Sequence, residues 1–226
     1  MNTIDRDSNS KIHKFLFQEE KMNIVKLNSS DFAIASEQLS IAFSDDPLIT
    51  QFLPEKKAAK LLALQKLSQA LLNYAQSYDC IYTTNENLKG VAIWLPPEAS
   101  QFNLSQLWQV VRSGFIALPF YMHWGRIGES ISFLATEIRL HHKTVPEPHW
   151  YLAMLGVSPE CQGQGIGGKL IQPVLQEANR TKMPCYLETS TAAAVRFYQR
   201  YGFEIVHKGI FVEREYWIMK RKPQVN

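Results

Sequence analysis

Four glycines in six positions, Gly163, Gly165, Gly167 and Gly168, are interleaved with Gln162, Gln164 and Ile166. Upstream lies the apolar run Trp150-Tyr151-Leu152-Ala153-Met154-Leu155-Gly156-Val157, which Ser158-Pro159 brings to a stop. A run of that length with Trp, Tyr and Val reads as a buried strand. Downstream, Leu170, Ile171, Val174, Leu175 and Ala178 recur at helical spacing. The glycines therefore fall where a helix begins. The first N–H groups of a helix have no partner within it and sit at the positive end of its dipole. Glycines let a ligand approach them closely. The chemistry this suits is the holding of a phosphate or pyrophosphate.

Two site chemistries fit the same residues. Gly163, Gly165 and Gly168 match G-x-G-x-x-G, and Glu188 stands twenty residues beyond Gly168, where a dinucleotide fold places its ribose ligand. Against this, the five residues Ser158 to Gln162 separate strand from first glycine, and only 38 residues follow Glu188. A doubly wound sheet needs a tighter turn and a longer chain. The second pattern is Q-x-x-G-x-G, supplied by Gln162, Gly165 and Gly167.

Downstream, Arg196-Phe197-Tyr198-Gln199-Arg200-Tyr201-Gly202-Phe203 supplies F-Y-x-x-x-G-F. Together with Val157-Ser158-Pro159-Glu160 leading into the Q-x-x-G-x-G loop, this resembles the GNAT N-acetyltransferase superfamily. Trp150-Tyr151-Leu152, Leu187-Glu188-Thr189-Ser190 and Phe197-Tyr198 most resemble its puromycin N-acetyltransferase branch. The likeness is strong over the last third of the chain and one of layout in the first ninety-odd residues.

The resemblance implies acetyl-CoA as co-substrate and assigns it residues. Gln162, Gly163, Gln164, Gly165, Ile166, Gly167 and Gly168 would cradle the pyrophosphate. Leu155, Gly156 and Val157 would run along the pantetheine arm where the fourth and fifth strands splay, with Gly156 as a bulge residue. Tyr198 would be the general acid for the departing thiolate, a role a phenol can fill. Thr191 stands where many members carry the Asn that binds pantetheine. The fourth strand lacks the Glu that many members use as general base, so Glu188, His149 or a water relay is left for that role. Phe120, Trp124 and Tyr151 are the expected acceptor contacts.

The elements that must position these residues are readable in outline. The first 21 residues are polar and aperiodic and read as a flexible tail, with residues 22–226 as one acetyltransferase domain. Asn23–Leu27 is a short strand, and Asp31 caps a helix to Phe43 that Asp46-Pro47 ends. Pro54-Glu55 opens a longer helix buried along Leu61, Leu64, Leu67, Leu71, Tyr74 and Ala75. Cys80–Thr84 and Gly90–Leu95 form a hairpin. Residues 98–148 read as a helical, aromatic-rich insert, with helices over Leu104–Arg112 and Gly128–His141. The cradle core spans 149–203. Pro173 should kink its helix, at roughly 3 kcal/mol in an ordinary interior. Pro184–Glu188 is a strand, Ser190 or Thr191 caps a last helix to Tyr201, and Phe203–Val206 and Tyr216–Lys220 close the sheet. The sum is a mixed α+β fold of the GNAT type: a mostly antiparallel central sheet with splayed fourth and fifth strands, flanked by helices.

Composition narrows the function further. With 46% hydrophobic and 20% charged residues the chain is globular, and a net charge of +3 argues against nucleic acid. Cys80, Cys161 and Cys185 are too widely spaced for a disulfide framework or a metal pair. No eighteen-residue apolar run is present, so no membrane partner and a cytoplasmic site are expected. His141-His142-Lys143 reads as a solvated helix end rather than a metal site, because adjacent histidines diverge on a helix. Three functions stay open: an N-acetyltransferase for a small primary amine, acting as monomer or homodimer; an acyl-CoA-binding module without turnover; and a dinucleotide-binding oxidoreductase. Because residues 102–124 are aromatic and nearly free of acid, the expected acceptor is a compact amine with an aromatic or apolar body.

Overall fold

The computed structural model describes residues 22–85, 87–100 and 104–224; the expected N-terminal tail and Phe102 lie outside them. Seven strands form one sheet: β1 (Ile24–Lys26), β2 (Ile81–Thr84), β3 (Gly90–Leu95), β4 (Trp150–Val157), β5 (Cys185–Thr189), β6 (Glu204–Phe211) and β7 (Arg214–Arg221). Their order is β1-β2-β3-β4-β5-β7-β6. Every pairing is antiparallel except β4 with β5, which is parallel. The expected mixed α+β sheet is thus observed, and it is not doubly wound.

The helices are α1 (Phe32–Ala42), α2 (Pro47–Thr50), α3 (Lys57–Ala75), α4 (Leu104–Ser113), α5 (Ile127–Thr144), α6 (Ile166–Thr181) and α7 (Ala192–Gln199). One sheet face packs on α1 and α3, through Phe32, Ala35, Leu39, Leu72, Val91, Ile93 and Met154. The opposite face packs on α6 and α7, through Trp94, Leu152, Leu170, Val174, Leu187, Val195 and Tyr198.

Several boundaries differ from expectation for local reasons. Asp46-Pro47 does end α1, but it also starts α2: the Asp46 carboxylate accepts from Leu48 and Ile49 N–H at 3.0 and 2.9 Å. The long helix begins at Lys57 rather than Pro54, and its fully buried line is Leu64, Ser68, Leu72 and Ala75, with Ala63 and Ala70. Leu61, Leu67, Leu71 and Tyr74 are only half-buried. The closing strands are longer than the apolar pattern suggested, because β6 is an edge strand whose side chains stay largely exposed. Helix α6 runs unbroken through Pro173.

The bulge in β4 is not at Gly156. Ile93 pairs with Met154 and Trp94 with Leu152, so Ala153 is the extra residue, while Gly156 pairs regularly with Val91. One extra residue swaps the faces. Trp150 and Leu152 face α6, whereas Met154 faces α1 and α3. Gly156 is a glycine for a different reason. A Cβ there would lie 2.7 Å from Leu39 Cδ2 and 3.1 Å from Ala42 Cβ, so its absence lets α1 lie against the strand.

Candidate active site

β4 and β5 pair only at Trp150↔Cys185 and Tyr151↔Tyr186. Beyond Tyr151 the strands part, and β4 continues to Val157 held by β3 alone. The backbone edge of Leu152 to Val157 that faces β5 therefore has no strand partner. The chain leaves β4 through Ser158, whose N–H donates to Lys89 O at 2.9 Å. It then makes a short turn over Pro159–Cys161 and reaches α6 through the glycines.

The glycines divide into two pairs with different physical jobs. Gly163 and Gly165 have φ of 77° and 76°, and a Cβ on either would meet nothing within 4 Å. They supply left-handed turns that open outward. Gly167 and Gly168 instead admit neighbours, since a Cβ would lie 3.3 Å from the Phe197 ring and 1.7 Å from Tyr201 Oη respectively. α7 is thereby seated close against the start of α6. Among the described residues the N–H groups of Gly163 through Gly168 have no acceptor, and the first helical bond is Lys169 N–H to Gly165 O at 3.2 Å. Six amides without an acceptor thus lie in the loop and first turn of one helix. Gln162 Nε2 donates to Val157 O at 3.2 Å and Gln164 Nε2 to Glu160 O at 3.3 Å, so both side chains brace the loop.

Tyr198 lies on α7 and is 8% exposed, packed with Phe197 and Phe203 in the cluster that also holds Leu152 of β4 and Leu187 of β5. Burial pushes its phenol well above the ordinary value, so it stays protonated. Thr191 is the N-cap of α7, its hydroxyl accepting from Ala194 N–H at 3.2 Å. Ser190, just before it, donates to the Asp46 carboxylate and ties the end of β5 to α2.

On the other face of the sheet, under α5, is a cluster that the sequence reading anticipated only in part. Tyr186 and Glu188 alternate with Leu187 along β5 and so share this face. Burial pushes the Glu188 carboxyl up to about 7, and the nearby hydroxyls of Tyr186 and Tyr151 limit the rise. Glu137 on α5 is also pushed up to about 7, first by burial and then by the charge of Glu188. The Tyr186 ring is fully buried, and its hydroxyl sits beside the Glu188 carboxyl without a well-aligned hydrogen bond among the described residues. Sequence reasoning named Glu188 and Tyr151 but missed Glu137, Tyr186 and Tyr216. The available signal was Phe133, Glu137 and His141 at four-residue spacing, one line along a helix.

His149 is placed elsewhere. It precedes β4, at the end where β4 and β5 still pair, seven residues before Gly156. Its Nδ1 must donate to Glu147 O at 2.7 Å, so its Nε2 accepts from His141 Nε2 at 2.6 Å. Both ring nitrogens are occupied. His141 is not the solvated residue expected of a helix end: it turns inward and stacks on Tyr186 at 4.0 Å and 14°, leaving only His142 and Lys143 in solvent. Burial lowers the His141 pKa to about 4. Phe120 and Trp124 meet edge-on at 6.4 Å but are 72% and 71% exposed, with no ring contact to Tyr151 among the described residues. Among the described residues no group of three or more His, Cys, Asp or Glu is arranged to hold a metal ion, and no helix is long and apolar enough to cross a membrane.

Comparison with known proteins agrees with this geometry. An uncharacterized N-acetyltransferase of Schizosaccharomyces pombe is 24% identical over 208 residues, covering 88% of this chain and 83% of its own length. Among solved structures, a histone acetyltransferase HPA2 and related acetyltransferase from Corynebacterium glutamicum superposes with a TM-score of 0.60 at 18% identity, covering 91% of this chain and 98% of that one. Arylalkylamine N-acetyltransferase 2 from Aedes aegypti gives 0.55 at 13% identity, covering 91% and 100%. At these identities the likeness is one of fold. The family model for the acetyltransferase (GNAT) domain matches residues 119–205, which include α5, the splayed strands, the glycine loop and α7. That match lies over a splayed parallel pair and the glycine loop, so residues 119–205 are similar to the acetyltransferase (GNAT) domain, and the sheet has the fold of the acetyltransferases it superposes on.

Proposed function

We propose that this protein transfers an acetyl group from acetyl-CoA to the primary amine of a small molecule. The observation that carries this reading is the opening between β4 and β5 beyond Tyr151, which leads on β4 to the glycine loop and on β5 to Glu188, beside Tyr151 and Tyr186. The residues fit the coenzyme: six N–H groups at a helix start suit a pyrophosphate, and the unpaired edge of Leu155, Gly156 and Val157 suits a pantetheine amide. Bound acetyl-CoA supplies the acetyl group as a thioester. The insert of residues 98–148 then closes the acceptor side of a domain spanning residues 22–226.

The chain's own groups divide the proton work. Attack requires a neutral amine, and Glu188, with a pKa near 7, is suited to take a proton from the incoming ammonium at neutral pH. Tyr198, kept protonated by burial, is suited to give one to the departing thiolate. The nitrogen–carbon bond forms as the carbon–sulfur bond breaks; the thiolate leaves with the Tyr198 proton, the second amine proton, lost as the amide forms, restores the phenol, and the proton on Glu188 is released to solvent. His149 is the weaker base because both of its ring nitrogens are engaged. Incubating the protein with acetyl-CoA and a panel of primary amines, followed by mass spectrometry, tests the reading. An acetylated amine with stoichiometric free coenzyme A supports it. Coenzyme binding without any acetylated product would favour a binding module instead.

A further inference from the structure

Helix α5 meets the sheet along one line of side chains. Phe133 lies edge-on to Tyr216 with centroids 6.0 Å apart, and His141 stacks on Tyr186, which places Glu137 between them over β5 and β7. Both carboxylate oxygens of Glu137 are shut off from solvent, and among the described residues neither has a well-aligned hydrogen bond, with the Tyr216 hydroxyl beside them. The groups facing this spot are Glu137 and His141 from α5, Tyr151 from β4, Tyr186 and Glu188 from β5 and Tyr216 from β7. Among the described residues no lysine or arginine acts on either carboxylate. Lys220 and Lys208 are paired with Glu147 and Glu215 instead.

Two carboxylates in such surroundings cannot both be charged, so near neutral pH the pair shares about one proton and carries about one negative charge. The fully buried Tyr186 hydroxyl beside them is, among the described residues, a further polar atom without a well-aligned hydrogen bond. The arrangement is incomplete without one cation. A hard metal ion is a poor fit, because it wants six or more oxygen ligands and the walls are aromatic rings. A single ammonium fits the charge, and Phe133, Tyr151, Tyr216 and Phe211 offer flat apolar surface around it.

We infer that Glu137 and Glu188 together form the acceptor-ammonium site, and that the acceptor is a monocationic primary amine with a flat apolar body. The inference deepens the acetyltransferase reading above and rests on it for the direction of chemistry. Glu137 is here a binding residue, distinct from the proton-accepting role given to Glu188.

The test is calorimetry with 2-phenylethylamine and its neutral counterpart 2-phenylethanol as probes, on wild type and Glu137→Gln, with coenzyme A titrated in the same series. Wild type should prefer the amine to the alcohol by at least about tenfold. Glu137→Gln should lose roughly 10–100-fold of amine affinity, the size of one charge-assisted hydrogen bond, while coenzyme A affinity is unchanged. Its melting temperature should not fall, since a buried charge is removed. Equal amine affinity in wild type and Glu137→Gln, or no preference for amine over alcohol in wild type, overturns the inference. An enzyme that selects the amine but binds no coenzyme A would sink the acetyltransferase reading and leave this site standing.

Discussion

Tyr151 and Tyr186 are the last residues at which β4 and β5 pair, and both turn their hydroxyls toward the Glu188 carboxylate. The point where the sheet opens is therefore also the point where a carboxyl is held near neutral pKa. In the proposed mechanism this is the carboxyl that takes the acceptor's proton.

If Glu188 is the base, kcat/KM should rise with pH through about 7, because the carboxyl must lose its proton before it can accept one. Glu188→Gln should lower kcat/KM by roughly 10²–10⁴-fold and remove that acidic limb. A pH–rate profile of both proteins is the check. An unchanged limb in the variant would assign it to another group.

The same carboxyls set an unusual stability profile. Their folded-state values lie near 7, above the ordinary 4.5, so the folded protein holds their protons more tightly than the unfolded chain does. Their contribution is fully present below about pH 4.5 and is lost as pH rises through about 7. His141 acts in the opposite sense: with its value lowered to about 4, its contribution is present above about 6.5 and is lost as pH falls toward 4. Glu137→Gln removes one carboxyl only. Its melting temperature relative to wild type should therefore improve between about pH 5 and pH 8, and a difference that stays constant with pH would contradict this account of Glu137.

Tyr198 and Tyr201 separate acid from packing. Tyr198→Phe should slow the chemical step by roughly 10²–10⁴-fold and leave coenzyme A affinity intact. Tyr201 covers the start of α6, its hydroxyl in the space a Gly168 Cβ would need. Tyr201→Phe should have little effect on the chemical step. Rapid-quench measurement of acetyl transfer distinguishes them, and equal small losses would mean that Tyr198 only packs.

Gly156 offers a stability test of the close approach of α1. Gly156→Ala puts a methyl 2.7 Å from Leu39 Cδ2, in a part of the core where Leu39 is 1% exposed. The variant should lose about 1–3 kcal/mol in urea unfolding, the ordinary penalty for overpacking. Pairing it with Leu39→Ala should recover part of that loss. No recovery would place the strain elsewhere.

What the sequence disclosed followed from local pattern. The glycine run, the apolar stripe after it and the F-Y-x-x-x-G-F segment are each local in sequence, so β4, the glycine loop, α6 and α7 were legible from them. The bulge was misplaced because it depends on register with β3, and a glycine in β4 answers equally to a bulge or to a close helix. At Gly167 and Gly168 the absent Cβ makes room for Phe197 and Tyr201, which lie about thirty residues on in the chain and so were not visible from the loop itself. Glu137 escaped notice because its partner Glu188 stands 51 residues away and its helix belongs to an aromatic-rich insert. His141 was read as solvated from its place near a helix end. Its stacking on Tyr186 is a tertiary contact that no local pattern encodes.

The most direct test of the central claim, that residues 162–168 cradle coenzyme A, is calorimetric titration of coenzyme A into wild type, Gly165→Asp and Gly165→Asn. Gly165 has φ of 76° and its Cβ direction is open, so either side chain points away from the protein at a backbone cost of about 1–2 kcal/mol. Asn tolerates that conformation and is neutral, so it controls for strain; Asp adds a negative charge where the pyrophosphate would lie. Wild type should bind one coenzyme A per chain and give no heat with NAD. The Asp variant should show no measurable binding, and the Asn variant should keep a weakened affinity. Near-normal coenzyme A binding by Gly165→Asp, or binding of NAD in preference to coenzyme A, would contradict the account.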